Sequence, residues 1–111
     1  ARLGDLIKTG GANVTPREVE ATLEAIPSVR EAYVVGLADA ERGELVHAAI
    51  VLQSGEPATG EELRARLKSE LSAYKIPRAF HFYSHEGLPF TDSGKIDKRA
   101  LIALIESESD A

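Results

Sequence analysis

The sequence contains no cysteine, so disulfides, thiolate zinc sites and thiol nucleophiles are all excluded. That absence fits a reducing compartment, and the expected location is the cytoplasm. Tryptophan is also absent, and Phe and Tyr contribute only three residues each, which leaves an aliphatic core. No apolar run approaches the roughly 20 residues that span a bilayer, and the N-terminus lacks a basic-then-apolar leader pattern. Positive charge is in deficit: 13 Lys and Arg stand against 18 Asp and Glu, a net charge of -5. Nucleic-acid binding without sequence preference depends on lysine and arginine neutralising phosphates, so no nucleic-acid partner is expected. There is no internal repeat, no low-complexity linker and no Gly-x-Ser-x-Gly nucleophile elbow.

What remains is 111 residues, 43% hydrophobic and 28% charged, enough for one compact domain over 1–111 with one modest core. The opening Ala1-Arg2-Leu3-Gly4-Asp5 carries neither an initiator Met nor a cap, and the chain is expected to begin partway through a longer polypeptide.

Asp5 to Val14 reads as a short strand, a Gly10-Gly11 turn and a second short strand, because paired glycines supply the positive φ angles a tight hairpin needs. Thr15-Pro16-Arg17-Glu18 then predicts a helix start, with Thr15 as cap, Pro16 in the first helical position and Glu18 completing a capping box. Val19, Leu23 and Ile26 recur at helical spacing and are assigned to the core, with Arg17, Glu20 and Glu24 left in water. Val29 to Leu37 and Leu45 to Leu52 predict two adjacent antiparallel strands around a polar turn at Asp39 to Glu44. Thr59-Gly60-Glu61-Glu62 repeats the capping-box pattern before a Leu63, Leu67, Leu71 stripe. A further strand is predicted at Ala79 to Tyr83, then a turn from Pro89 to Lys95, and a last helix capped by Asp97 through Leu101, Leu104 and Ile105. The segment from Glu106 to Ala111 is expected to fray. The fold class is α+β: a small, mainly antiparallel sheet of about three strands with helices packed on it, preceded by a short β-hairpin.

Lys95 is singled out by its setting. Gly94-Lys95 is not a phosphate loop, since that motif requires a glycine where Pro89 stands and a Ser or Thr where Ile96 stands. Leu88-Pro89 instead stiffens the entry, Ser93-Gly94 makes a tight turn and Asp97 starts a helix, a frame that aims a long cation outward from a rigid base. At Lys8-Thr9-Gly10-Gly11 the glycines are explained by the turn alone, although they also let another molecule approach the backbone. His47, His81 and His85 lack ligand spacing, and no metal site is expected. Glu18, Glu20 and Glu24 read as capping and a solvated helix face.

Three stretches together resemble a known family: Asp5-Leu6-Ile7-Lys8-Thr9-Gly10-Gly11-Ala12-Asn13-Val14-Thr15-Pro16-Arg17-Glu18-Val19-Glu20, Val29 to Gly36, and Leu88-Pro89-Phe90-Thr91-Asp92-Ser93-Gly94-Lys95-Ile96-Asp97-Lys98-Arg99-Ala100-Leu101. They are similar, in order and spacing, to the C-terminal domain of the acyl-adenylate-forming superfamily, which holds acyl-CoA synthetases, peptide-synthetase adenylation domains and luciferases. The Gly10 to Glu20 stretch looks most like fatty-acyl or aryl acid-CoA ligases.

The resemblance implies a two-step reaction. A carboxylate attacks the α-phosphate of ATP to give acyl-AMP and pyrophosphate, and a thiol then displaces AMP to give a thioester. In the family this small domain rotates between steps and is inactive by itself. By residue match, Lys95 is the adenylation lysine, Lys8 serves the second half-reaction, and Gly10, Gly11 and Ala12 line the pantetheine channel. Arg2 and Asn13 fall on the nucleotide and phosphate side, and Gly4 and Asp5 on the hinge. The family usually has Asp or Lys at the hinge position, so Gly4 is a departure that Asp5 would have to cover. The implied partners are an N-terminal domain of the same chain, which holds most of the ATP with its Mg ion, together with the carboxylic acid and CoA as co-substrates. Two alternatives stay open: the thiol belongs to a carrier protein, or the domain is a non-catalytic interaction module.

Overall fold

The computed structural model describes residues 6–109. Five strands form one sheet: β1 Ile7–Thr9, β2 Ala12–Val14, β3 Val29–Asp39, β4 Gly43–Leu52 and β5 Ala79–Phe82, in the order β2-β1-β4-β3 with β5 also on β4. Three α-helices accompany them, α1 Pro16–Glu24, α2 Gly60–Lys68 and α3 Lys98–Ser109, with short 3-10 turns at Ala73–Lys75 and His85–Gly87. Among the described residues no helix is long and apolar enough to cross a membrane.

The long β3–β4 pair is the centre, antiparallel from Val29↔Leu52 to Asp39↔Gly43. Both strands are apolar almost throughout because both faces are covered. Ala32, Val34, Val46, Ala48 and Ile50 point to one face and pack with Val19 and Leu23 of α1 and Leu63 and Leu67 of α2. Val35, Leu37, Ala49 and Val51 point to the other, against Leu101 and Ile105 of α3. Period-two alternation on each face therefore sorts one apolar run into two cores.

The α+β class holds, with two additions to the sheet. The hairpin does not merely precede it: Thr9 bridges Gly43 and the Gly10 N–H donates to the Arg42 carbonyl at 2.9 Å, which stitches β1 and β2 onto β4. The predicted third strand lies parallel to β4, with His47↔Ala79 and Ile50↔Phe82, because α2 returns the chain to the same end of the sheet.

The helix signals divide. At α2 the capping box forms in full: the Thr59 hydroxyl accepts from the Glu62 N–H at 3.2 Å, and the Glu62 carboxylate accepts from the Thr59 N–H at 2.8 Å. At α1, Pro16 takes the first turn, but the Thr15 side chain makes no cap bond. Glu18 there turns outward to Lys75, 3.0 Å away. Asp97 caps α3 by accepting from the Ala100 N–H at 3.0 Å. Within the segment from Glu106 expected to fray, α3 continues to Ser109, and Asp110 and Ala111 lie outside the described residues. Ile105 is fully buried and the Tyr83 hydroxyl donates to Glu108 at 2.6 Å, so the last turns are tied to the chain leaving β5.

Candidate active-site faces

Lys95 stands on a loop pinned at both ends. Leu88 is buried, Phe90 and Ile96 form an antiparallel bridge, and the Asp97 N–H donates to the Pro89 carbonyl at 3.0 Å. Inside that bridge the Thr91 N–H donates to the Lys95 carbonyl at 2.7 Å and the Gly94 N–H to the Thr91 carbonyl at 2.9 Å, with Gly94 at φ +85°. The Phe90 ring meets Tyr33 edge-on, centroids 6.1 Å apart, and stacks on His85 at 4.6 Å. Glu31 secures this cluster, 2.6 Å from the Tyr33 hydroxyl and 2.7 Å from His85 Nδ1. Burial pushes the Glu31 carboxyl up, but the hydrogen bonds from Tyr33 and His85 outweigh it and hold the group below the usual carboxylate range. Tyr33 is pushed up by burial and then by its bond to Glu31, so it stays a protonated donor. Lys95 is exposed, and among the described residues it has no ion-pair partner. A free cation on a braced turn is suited to meeting negative charge from another body.

Directly behind the loop, Glu20 corrects the reading of α1. It is not solvated: its side chain is only 8% exposed. Its Oε2 accepts from the Val34 N–H at 2.8 Å and from Lys98 Nζ at 2.9 Å, and Lys98 also donates to the Val34 carbonyl at 3.1 Å. The signal was present, because Pro16, Val19, Glu20 and Leu23 occupy i, i+3, i+4 and i+7 of the apolar stripe and all four are buried.

The second face is the hairpin tip. Gly10 and Gly11 adopt φ +57° and +85°, the pair of positive angles that a two-residue turn requires. A Cβ at either would meet nothing within 4 Å, so within this domain the backbone angle alone demands glycine and the tip is open to approach. Lys8 and Asn13 are cross-strand partners, both exposed on one side of the hairpin, and Ala12 is half-buried at the turn. Glu44 anchors the base by accepting from the Lys8 N–H at 2.9 Å. Beside the tip lies a cleft of about 310 Å³ whose walls include Gly10, Ala12, Arg42, Tyr74, Ile76 and Arg78, with Tyr74 exposed. Arg2, Gly4 and Asp5 lie outside the described residues.

The Lys95 loop packs against Tyr33, midway along β3, whereas the hairpin pairs with Gly43 of β4, opposite Asp39 at the end of β3. Six residues of strand, roughly 20 Å, separate the anchor points. Sequence spacing also gave no hint that β4–β5 pairing brings His47 Nδ1 within 3.0 Å of His81 Nε2, the rings 8° from parallel. Burial lowers the pKa of both histidines, and His81 and Arg78 lower that of His47 further while Glu108 opposes the effect at His81. Among the described residues no three His, Asp or Glu side chains gather as a metal ligand set.

The profile of the AMP-binding enzyme C-terminal domain family matches residues 18–95. The long-chain-fatty-acid–CoA ligase of Bacillus subtilis is 44% identical over 101 residues, which is 91% of this chain and 18% of that protein. The structure of an acyl-CoA synthetase from Brucella canis superposes with a TM-score of 0.85 at 38% identity, covering 100% of this chain and 20% of that one. ATP-bound MatB from Rhodopseudomonas palustris gives a TM-score of 0.87 at 33% identity, over 94% of this chain and 20% of that one. The chain thus spans about a fifth of the length of the relatives it matches. By profile, sequence and fold alike, this chain belongs to the AMP-binding enzyme C-terminal domain family, the C-terminal domain of the acyl-adenylate-forming superfamily.

Proposed function

We propose that this domain is the mobile lid of an AMP-forming carboxylic acid–CoA ligase and that Lys95 serves its first half-reaction. The carrying observation is the exposed Lys95, without an ion-pair partner among the described residues, on a turn braced by the Phe90–Ile96 bridge and the Tyr33–Phe90–His85 cluster. As the carboxylate oxygen attacks the α-phosphorus of ATP, the bond to pyrophosphate breaks and negative charge shifts across both groups. An ammonium placed between them stabilises that charge. ATP and its Mg ion would be held mainly by the N-terminal domain, with Arg2 and Asn13 on the nucleotide side.

In the second half-reaction the thiol gives up its proton, its sulfur attacks the acyl carbonyl and AMP leaves. The open Gly10-Gly11 tip, with Ala12, suits the narrow approach of a pantetheine arm, and Lys8 would stand beside it. Free CoA is favoured over a carrier-protein thiol by the adjoining cleft, where Arg42 and Arg78 offer two guanidinium groups to phosphates and Tyr74 offers a ring face. Rotation about Gly4 and Asp5 would bring each face to the substrates in turn. The absence of cysteine suits a cytoplasmic setting.

The test is Lys95→Ala in a full-length enzyme carrying this domain. Acid-dependent ATP–pyrophosphate exchange is expected to fall at least about 100-fold, the scale of losing one preorganised charge contact. Conversion of supplied acyl-adenylate to acyl-CoA is expected to survive. Exchange at the unsubstituted rate would refute the assignment.

A further inference from the structure

We propose that Lys98 is a positioning residue for Lys95, fixed by Glu20 and the Val34 backbone, so that adenylation depends on an ion pair that touches no substrate. The inference rests on the assignment of Lys95 to adenylation and identifies what holds that lysine in place.

Among the described residues β3 has a strand neighbour on one side only, β4. An edge strand leaves main-chain N–H and C=O groups to be satisfied by something else. At Val34 both are taken at once: the Glu20 carboxylate accepts the N–H, and Lys98 Nζ donates to the C=O while also pairing with Glu20 at 2.9 Å. Arg17 completes the cluster from solvent, 3.4 Å from the other Glu20 oxygen. Three elements therefore meet at one point: α1 through Glu20, β3 through Val34 and α3 through its first residue, Lys98. Lys98 is three residues beyond Lys95, with Asp97 between them bonded back to Pro89 at 3.0 Å and capping α3 through Ala100 at 3.0 Å.

The aromatic cluster braces the entry to the Lys95 loop, and the Glu20–Lys98–Val34 junction braces its exit. Without Lys98, α3 would still be held at Leu101 and Ile105, three and seven residues further along. The first residue of α3 would lose its polar link to β3, and the Lys95 turn would gain freedom to tilt. A displacement of about 1 Å in a group that must meet a transition state costs on the order of 100-fold in rate, whereas among the described residues no hydrogen bond runs from Glu20, Val34 or Lys98 to Gly10 or Gly11.

The experiment uses a full-length enzyme carrying this domain. Lys98→Met keeps the alkyl stem and removes the charge, but leaves the buried Glu20 carboxylate with only the longer contact to exposed Arg17. The double variant Glu20→Gln/Lys98→Met removes both charges together and protects the fold. Lys98→Arg is the conservative variant. In the double variant the rate constant for pyrophosphate exchange is expected to fall about 10- to 100-fold with KM for ATP and acid nearly unchanged. Thioester formation from supplied acyl-adenylate should be preserved, and Lys98→Arg should recover most of the lost exchange. Amide hydrogen exchange over residues 88–97, where the Thr91, Gly94 and Asp97 N–H groups are bonded, should quicken in the double variant and return with Lys98→Arg. Unchanged pyrophosphate exchange, an equal fall in both half-reactions, or unchanged protection over 88–97 would each overturn the proposal. The two claims fail separately. Intact pyrophosphate exchange in Lys95→Ala removes the role of Lys95 itself, while protection over 88–97 still decides whether Lys98 anchors the loop.

Discussion

Glycine at position 36 is required by contact and glycine at position 10 by backbone angle, and substitution separates the two causes. A Cβ at Gly36 would stand 2.9 Å from Ile7 Cγ2 and 3.0 Å from Glu44 Oε2. Neither neighbour is free to yield, since Ile7 is buried at 3% exposure and Glu44 holds the Lys8 N–H. Gly36→Ala is therefore expected to lower stability by about 1–3 kcal/mol through overpacking, loosening the seat of the hairpin. At Gly10 a Cβ would meet open space, and only the φ of +57° opposes it. Gly10→Ala should cost about 1 kcal/mol, with Gly10→Asn costing less because Asn tolerates that region. Urea denaturation midpoints of the three variants check the order. A Gly36→Ala midpoint equal to the parent would show that the Ile7–Glu44 wall moves aside.

Among the elements, two helices carry the same start signal and only one uses it, which sets up a paired test. Thr59→Ala removes a hydroxyl that accepts from the Glu62 N–H, whereas Thr15→Ala removes one with no cap bond. The first should cost about 1 kcal/mol and the second close to nothing, again read from denaturation midpoints. Local punctuation of this kind was legible from the residues: the Gly10-Gly11 turn, the Thr59 box, the Asp97 cap and the Leu63 and Leu67 stripe all depend on neighbours within a few positions. The failures have the same logic. The Thr15 box fails because Lys75, 57 residues beyond Glu18, competes for that carboxylate. The His47–His81 contact is created by parallel pairing of β4 and β5, and a strand's spacing does not say which strand it will join. That contact also has a pH signature. Both imidazoles are held below their ordinary pKa of 6.5, chiefly by burial, so between 6.5 and the lower folded values the unfolded chain binds more protons. Their contribution to stability is complete above about pH 6.5 and is lost as pH falls through the folded pKa values. Unfolding free energy measured from pH 7.5 to pH 5 should fall, and His47→Gln/His81→Gln should flatten the slope; equal slopes would remove the pair as its cause.

For the whole molecule, the sequence was informative about class and about the tight turn that carries Lys95 because both are written in short runs. The clamp behind Lys95 was not, since Glu20 and Lys98 stand 78 positions apart and only the packing of α1 and α3 across the edge of β3 brings them together. The same distance argument explains the function proposed for the domain. The Lys95 loop and the hairpin tip are seated on one sheet, yet their anchor points, at Tyr33 and opposite Asp39, lie six residues of strand apart, roughly 20 Å, a separation that suits presenting each face to the substrates in turn. A body built this way predicts a double dissociation. Gly11→Leu in a full-length enzyme would place a bulky side chain at the open tip, where the domain itself offers no obstruction within 4 Å. Thioester formation should fall by about 10-fold or more if a pantetheine arm must pass there, with pyrophosphate exchange close to the parent rate. Lys95→Ala should do the reverse. Gly11→Asn, which keeps the turn angle with a smaller side chain, should fall between Gly11→Leu and the parent in thioester formation. If Gly11→Leu and Lys95→Ala instead depress the same half-reaction, the two faces serve one orientation and the rotating-lid reading fails, whatever chemistry the lysine performs.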